Sequence, residues 1–148
     1  KTIIFTNDDI ENLLEHQYGK ADTLTVLMLL YPSLDFNNKF HIDHIYPKSK
    51  FTKTMLAKKG VPADKIDAYI SRVNELSNLQ LLAAIPNIEK QNEDFDGWFE
   101  KTYPTDMDKI QYRAINHMPN MDYTFANFLT FMKDRRTLIK AVLENILL

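Results

Sequence analysis

Two short stretches decide the reading: Phe40-His41-Ile42-Asp43-His44-Ile45-Tyr46-Pro47, and Asn78-Leu79-Gln80-Leu81-Leu82 followed by Pro86-Asn87-Ile88-Glu89-Lys90. In the first, apolar and polar residues alternate from Phe40 to Asp43, as they do in a strand with one face buried. Asn37-Asn38 supplies the turn before it, and Pro47 ends it. In the second, Leu79 to Leu82 is a short strand candidate, and Pro86 suits the first turn of a helix expected to run to about Phe99. Phe95, Trp98 and Phe99 are expected to anchor that helix in the core, although an exposed aromatic would be free to stack on a base.

Outside these stretches the chain reads as helix. Thr6 or Asn7 with Asp8 and Asp9 marks a capped start, Ile10, Leu13 and Leu14 fall at helical spacing, and Gly19 is the stop. A second, largely apolar helix is expected from about 22 to 31, closed by Pro32. Between the strand candidates lie two more, from Pro47 to Lys59 and from about Pro62 to Leu76, with Ile66, Ile70 and Val73 on one face. Thr105 with Asp108 caps a helix to His117, and a long amphipathic helix from about Tyr123 carries Phe128, Met132, Ile139, Leu143 and Ile146. The expected class is therefore α+β, mostly α: a helical lead-in (6–31), a strand–strand–helix core (36–47 and 78–99), a helical insertion (48–76) and C-terminal helices (105–148).

Composition narrows the function. With 148 residues, 45% of them hydrophobic and 26% charged, the chain is long enough to bury a core as one domain. It has no cysteine, which excludes disulfide frameworks and thiolate zinc sites. The longest apolar run, Val26 to Tyr31, is too short to span a membrane and no leader precedes it, so a cytoplasmic setting and no membrane partner are expected. The start at Lys1 instead of Met suggests a fragment of a longer protein, or a processed terminus. A net charge of −2 argues against coating nucleic acid by bulk electrostatics. A nucleic acid would have to meet a local patch, for which Lys48, Lys50, Lys53, Lys58 and Lys59, with no acidic residue from 48 to 60, are the candidates. A solvated helix face reads the same way.

Taken together, the two stretches resemble the HNH, or His-Me finger (ββα-metal), nucleases: an Asp-His pair ending the first strand, an asparagine opening the second, and a further ligand in the helix that follows. The interval from Asn78 to Asn87 and the trailing Lys90 are similar to the HNH domain of CRISPR effector nucleases. With Phe-His-Ile-Asp-His-Ile-Tyr-Pro-Lys-Ser, Ser-Asn-Leu-Gln-Leu-Leu, Pro-Asn-x-Glu-Lys and a terminal helix bearing Arg135 and Arg136, the chain from about Phe5 onward resembles the C-terminal nuclease module of GmrSD-like modification-dependent restriction proteins.

That resemblance implies a DNA endonuclease for host defence, using one Mg2+ ion for which Mn2+ substitutes, and leaving a 5′-phosphate and a 3′-hydroxyl. It implies His44 as general base, Asp43 and Asn87 as metal ligands, and Asn78 as a brace that aims His44 through backbone hydrogen bonds. It also implies a separate N-terminal specificity domain. Histidine suits proton abstraction near neutrality, and a carboxylate with an amide oxygen suits a hard cation.

Three points stay open on the residues. His41 shares a face with Asp43 and is placed either to bind the metal, to bond a metal-bound water, or to fill space. Lys90 is either a phosphate contact or an ordinary exposed lysine. A strict strand puts Asp43 and His44 on opposite faces, so a backbone bend is expected there. His16 and His117 read as structural or solvated. The gap from His44 to Asn78 is long for an HNH core, so the insertion is expected to fold outward. Competing functions are a catalytically silent nucleic-acid-binding or regulatory module of the same fold, and a purely structural metal site.

Overall fold

The computed structural model describes residues 3–148, apart from the side chains of Ala84, Ile85 and Ile88. Eight α-helices and one two-stranded sheet are present among the described residues. The lead-in comprises α1 (Asn7–Leu14) and α2 (Thr23–Leu29). α1 starts in a reciprocal box: the Thr6 hydroxyl accepts from the Asp9 N–H and the Asp9 carboxylate accepts from the Thr6 N–H. These two bonds satisfy two backbone donors that a helix start otherwise leaves open.

Strand β1 (Phe40–His44) pairs antiparallel with β2 (Leu79–Ala83), Asp43 facing Gln80 and His44 facing Leu79. The ladder runs unbroken through His44, so the bend expected between Asp43 and His44 is not inside the strand. The register holds one bond further, with the Ile45 N–H donating to the carbonyl of Asn78 at 2.8 Å.

Between the strands stand α3 (Lys53–Lys58) and α4 (Ile66–Arg72), with short 3-10 turns at Lys48–Lys50, Ala63–Lys65 and Leu76–Asn78. This segment does not fold outward. Leu56, Val61, Ile66, Tyr69 and Val73 are buried with the aromatic core, and the Tyr69 hydroxyl donates to the Phe125 carbonyl at 2.6 Å. Five apolar side chains in 18 residues would lose several kcal/mol if left in water, at about 1.5–3 kcal/mol each.

β2 runs directly into α5 (Ala84–Lys90), which packs on both strands. The single helix expected to Phe99 is two: the chain breaks at Gln91, whose φ of 44° lies in the left-handed region, and restarts as α6 (Phe95–Thr102). After α7 (Asp106–Asn116), with Thr105 capping the Asp108 N–H, the 20-residue α8 (Phe128–Leu147) closes the fold.

The core has two lobes. Tyr46, Phe51, Tyr69, Phe95, Trp98, Phe99, Tyr112, Tyr123, Phe128 and Phe131 form an aromatic cluster. Ile10, Leu14, Leu27, Leu30, Leu79, Leu81, Ile139 and Leu143 form an aliphatic one. α8 serves both, with Phe128, Phe131 and Met132 in the first and Ile139 and Leu143 in the second; Ile146, expected on the same stripe, is exposed. At the junction sits Arg135, fully buried, its guanidinium donating to the carbonyls of Ser77 (2.8 Å), Leu79 (2.6 Å) and Asn116 (3.1 Å). Among the described residues no helix is long and apolar enough to cross a membrane.

Candidate active site

Asp43 and His44 end β1 beside a small cleft of about 140 Å³, closed on other sides by Pro47, Lys48, Gln91 and Asn92. Asp43 is buried, and its carboxylate is held by two donors: Gln80 from the opposite strand at 2.9 Å to Oδ2, and Lys90 from α5 at 3.1 Å to the same oxygen. The other oxygen, Oδ1, has only a long 3.5 Å contact with Lys90. Burial pushes the Asp43 carboxyl above its ordinary value, against the opposing pull of Lys90 and Gln80.

Lys90 is fully buried and not the solvated lysine its helix position allowed. Its ammonium also donates to the carbonyl of His44 at 2.9 Å and lies 5.8 Å from the centre of the Trp98 ring. Burial lowers its pKa while Asp43 raises it. A lysine head is sealed from water only where several acceptors replace its hydration, and here a carboxylate, a carbonyl and a ring face do so.

Gln80 is fixed in turn, because its Oε1 accepts a hydrogen bond from the Tyr112 hydroxyl deep in the aromatic core. A buried chain thus runs from Tyr112 through Gln80 to Asp43. The motif contains Gln80, but sequence reasoning gives it no role; a glutamine flanked by leucines in a strand that is buried on both faces is the signal that a partner awaits it.

Asn78, fully buried, braces the turn after β1. Its Oδ1 accepts from the Tyr46 N–H at 2.8 Å, and its Nδ2 donates to the carbonyls of Tyr46 at 3.1 Å and Val73 at 2.9 Å. One side chain therefore ties the residue two beyond His44 to the end of the insertion. His44 itself is half-buried, its Nε2 lies 2.8 Å from Asn74 Oδ1, and the Tyr18 ring packs edge-on against it with centroids 4.6 Å apart. Burial lowers the His44 pKa, which keeps the imidazole neutral near pH 7, while Asn74 and Asp43 pull the other way.

Asn87 and His41 stand apart from this network. Asn87 is half-buried in α5, one turn before Lys90, and does not line the cleft. His41 is exposed on β1 opposite Leu82 and does not line it either. His16 caps the end of α1 through the Leu13 carbonyl, and His117 ends α7 in a left-handed conformation with its Nε2 2.7 Å from the Leu30 carbonyl.

Among the described residues no three His, Cys, Asp or Glu side chains converge to hold a metal. A single buried carboxylate whose Oδ1 is nearly free is what a Mg2+ ion accepts when water and substrate phosphate supply the remaining ligands. Asp43 Oδ1, with only its long contact to Lys90, is the oxygen of this site whose chemistry suits a hard cation.

Arg135 enters the sequence reading only as part of a motif, yet its spacing from Phe128, Met132 and Ile139 puts it on the core face of α8, a signal readable from the sequence. Comparison with protein-family models and with curated proteins finds no match to this chain.

Proposed function

We propose that the chain is a metal-dependent endonuclease domain of the HNH (His-Me finger) type, hydrolysing phosphodiester bonds in nucleic acid, with double-stranded DNA the substrate that its likeness to GmrSD-like restriction modules implies. The observation that carries this is the meeting of Asp43, His44, Asn78 and Lys90 across two paired strands and the helix that follows them. A host-defence role, and a further domain that selects the substrate, belong to the same reading.

His44 takes a proton from water as the water oxygen attacks phosphorus, and the bond to the 3′ oxygen breaks. A neutral imidazole is required for that role, and burial favours it. Asp43, and Asn87 by the same likeness, would hold Mg2+ or Mn2+, which would supply Lewis-acid stabilisation of the charge growing on the leaving oxygen. Lys90 and Gln80 hold the Asp43 carboxylate in place, and Asn78 holds the turn that carries His44. His41 lies on the open side of the strand and takes no part.

A silent module of the same fold is the second reading, favoured by the Lys90–Asp43 ion pair, which already neutralises the carboxylate. Plasmid nicking with Mg2+, with Mn2+ and with chelator, by wild type and His44→Ala, separates the two. The nuclease reading expects metal-dependent cleavage that falls at least about 100-fold in the variant. Equal activity in both proteins refutes the base assignment, and binding without cleavage at any metal concentration favours the silent module.

A further inference from the structure

The helical insertion ends at the general base, and this contact defines a role not contained in the nuclease assignment. Asn74 follows α4 by two residues, and its Oδ1 lies 2.8 Å from Nε2 of His44. Three bonds hold Asn74 where it is. Asn78 Nδ2 donates to the carbonyl of the preceding Val73 at 2.9 Å, the Tyr18 N–H donates to the Asn74 carbonyl at 2.8 Å, and the Leu76 N–H donates to the His16 carbonyl at 3.0 Å. The segment after α1 and the segment after α4 are thereby stitched together, and the Tyr18 ring closes a second side of the imidazole.

We infer that Asn74 is a positioning residue for His44: its amide oxygen holds the imidazole as the Nε2–H tautomer, leaving Nδ1 as the basic nitrogen. An amide oxygen can only accept, so Nε2 must donate to it, and a neutral ring then carries no proton on Nδ1. An imidazole with one nitrogen fixed in this way also cannot rotate about χ2 without losing the bond. The insertion is consequently part of the site and not an ornament on it, since it delivers the atom that selects the tautomer. Gly, Ala or Leu at position 74 would leave both tautomers and both ring orientations accessible.

The inference rests on the nuclease reading for its catalytic meaning, and the experiment separates the two. His44 is observed by 15N and 13C NMR in the histidine-labelled chain at a pH where the ring is neutral, for wild type, Asn74→Ala and Asn74→Asp. Metal-dependent nicking is followed in the same samples. The expected result is the Nε2–H pattern in wild type, a mixture in Asn74→Ala and recovery of Nε2–H in Asn74→Asp, which keeps an acceptor in place. The nicking kcat of Asn74→Ala should fall about 10- to 100-fold, the range for loss of a group that orients a site ligand, with KM within about twofold.

An Nδ1–H wild-type ring, which is what a donating Nδ2 of Asn74 would give, overturns the inference. So does an Asn74→Ala variant with unchanged tautomer and unchanged kcat. The correct tautomer shift in a protein that never cleaves supports control of His44 by Asn74 and refutes the nuclease reading alone.

Discussion

The ammonium of Lys90 and the carboxylate of Asp43 lie 3.1 Å apart with side chains 0% and 9% exposed. Each is the other's only charged partner in this buried network. Removing one partner leaves an uncompensated buried charge, a change that costs about 3–5 kcal/mol in other proteins. Lys90→Gln is therefore expected to lower the unfolding free energy by about 3 kcal/mol in chelator, measured by urea denaturation. Mn2+ should stabilise this variant more than wild type, because the cation replaces the lost charge. If Mn2+ stabilises neither protein, Asp43 is not a metal ligand.

Asn78→Ala removes an acceptor and two donations that pair the backbone of Tyr46 and Val73 inside the protein. Each buried group left unpaired costs about 1–3 kcal/mol. The variant should lose about 3 kcal/mol of stability and nearly all nicking activity, the second because both Tyr46 and the Val73–Asn74 turn are released around His44. Retention of full activity in a destabilised but folded Asn78→Ala would show that the turn does not aim the base.

Lys59 and Lys48, two lysines of the insertion, have different surroundings. Lys59 is paired with Asp94 from the loop before α6 and sits 5.2 Å from the Phe125 ring centre. Lys48 lies at the cleft and 6.0 Å from the Tyr18 ring centre, and Lys50 and Lys53 follow it. Charge reversal at 48, 50 and 53 should reduce the salt dependence of DNA binding by about one unit of log K against log salt for each phosphate no longer neutralised, and reversal at Lys59 should not. Equal slopes for wild type and the triple variant would make the patch a solvated face.

His44 and His117 both have pKa values lowered by burial. Their folded forms bind fewer protons than the unfolded chain below the ordinary histidine value of 6.5, so stability is lost as pH falls through that value and levels off below the folded pKa. Thermal unfolding at pH 7.5 and pH 5.0 should show a lower midpoint at the acid end. His117→Asn, which tolerates the left-handed backbone at φ 54°, should show a smaller drop. An identical pH dependence in both proteins would assign the effect to other groups.

Local signals mark much of the fold. The Thr6–Asp9 box and the Thr105 cap start helices where their side chains meet open N–H groups, and the alternation from Phe40 to Asp43 lies in a strand. The break at Gln91 carries no such mark, because no glycine or proline stands there and the left-handed turn is imposed by packing α6 into the aromatic core. The inward packing of the insertion, against the expectation that it folds outward, is hidden for a related reason. Its apolar residues are spaced for a helix face, but spacing does not say which neighbour that face meets.

The motif singles out Asp43, His44, Asn78, Asn87, Lys90 and His41, whose residue types and short-range order are properties of the chain, and the structure joins only Asp43, His44, Asn78 and Lys90 in one network. What the sequence by itself determined was this local set: residue types, strand and helix tendencies, and the absence of thiol chemistry. Only the tertiary structure decided that Lys90 is sealed against Asp43, that His41 stays outside, and that Asn74, 30 residues from His44 in sequence, reaches its Nε2. Such contacts follow from how distant segments pack, and burial then sets the protonation of the groups they enclose.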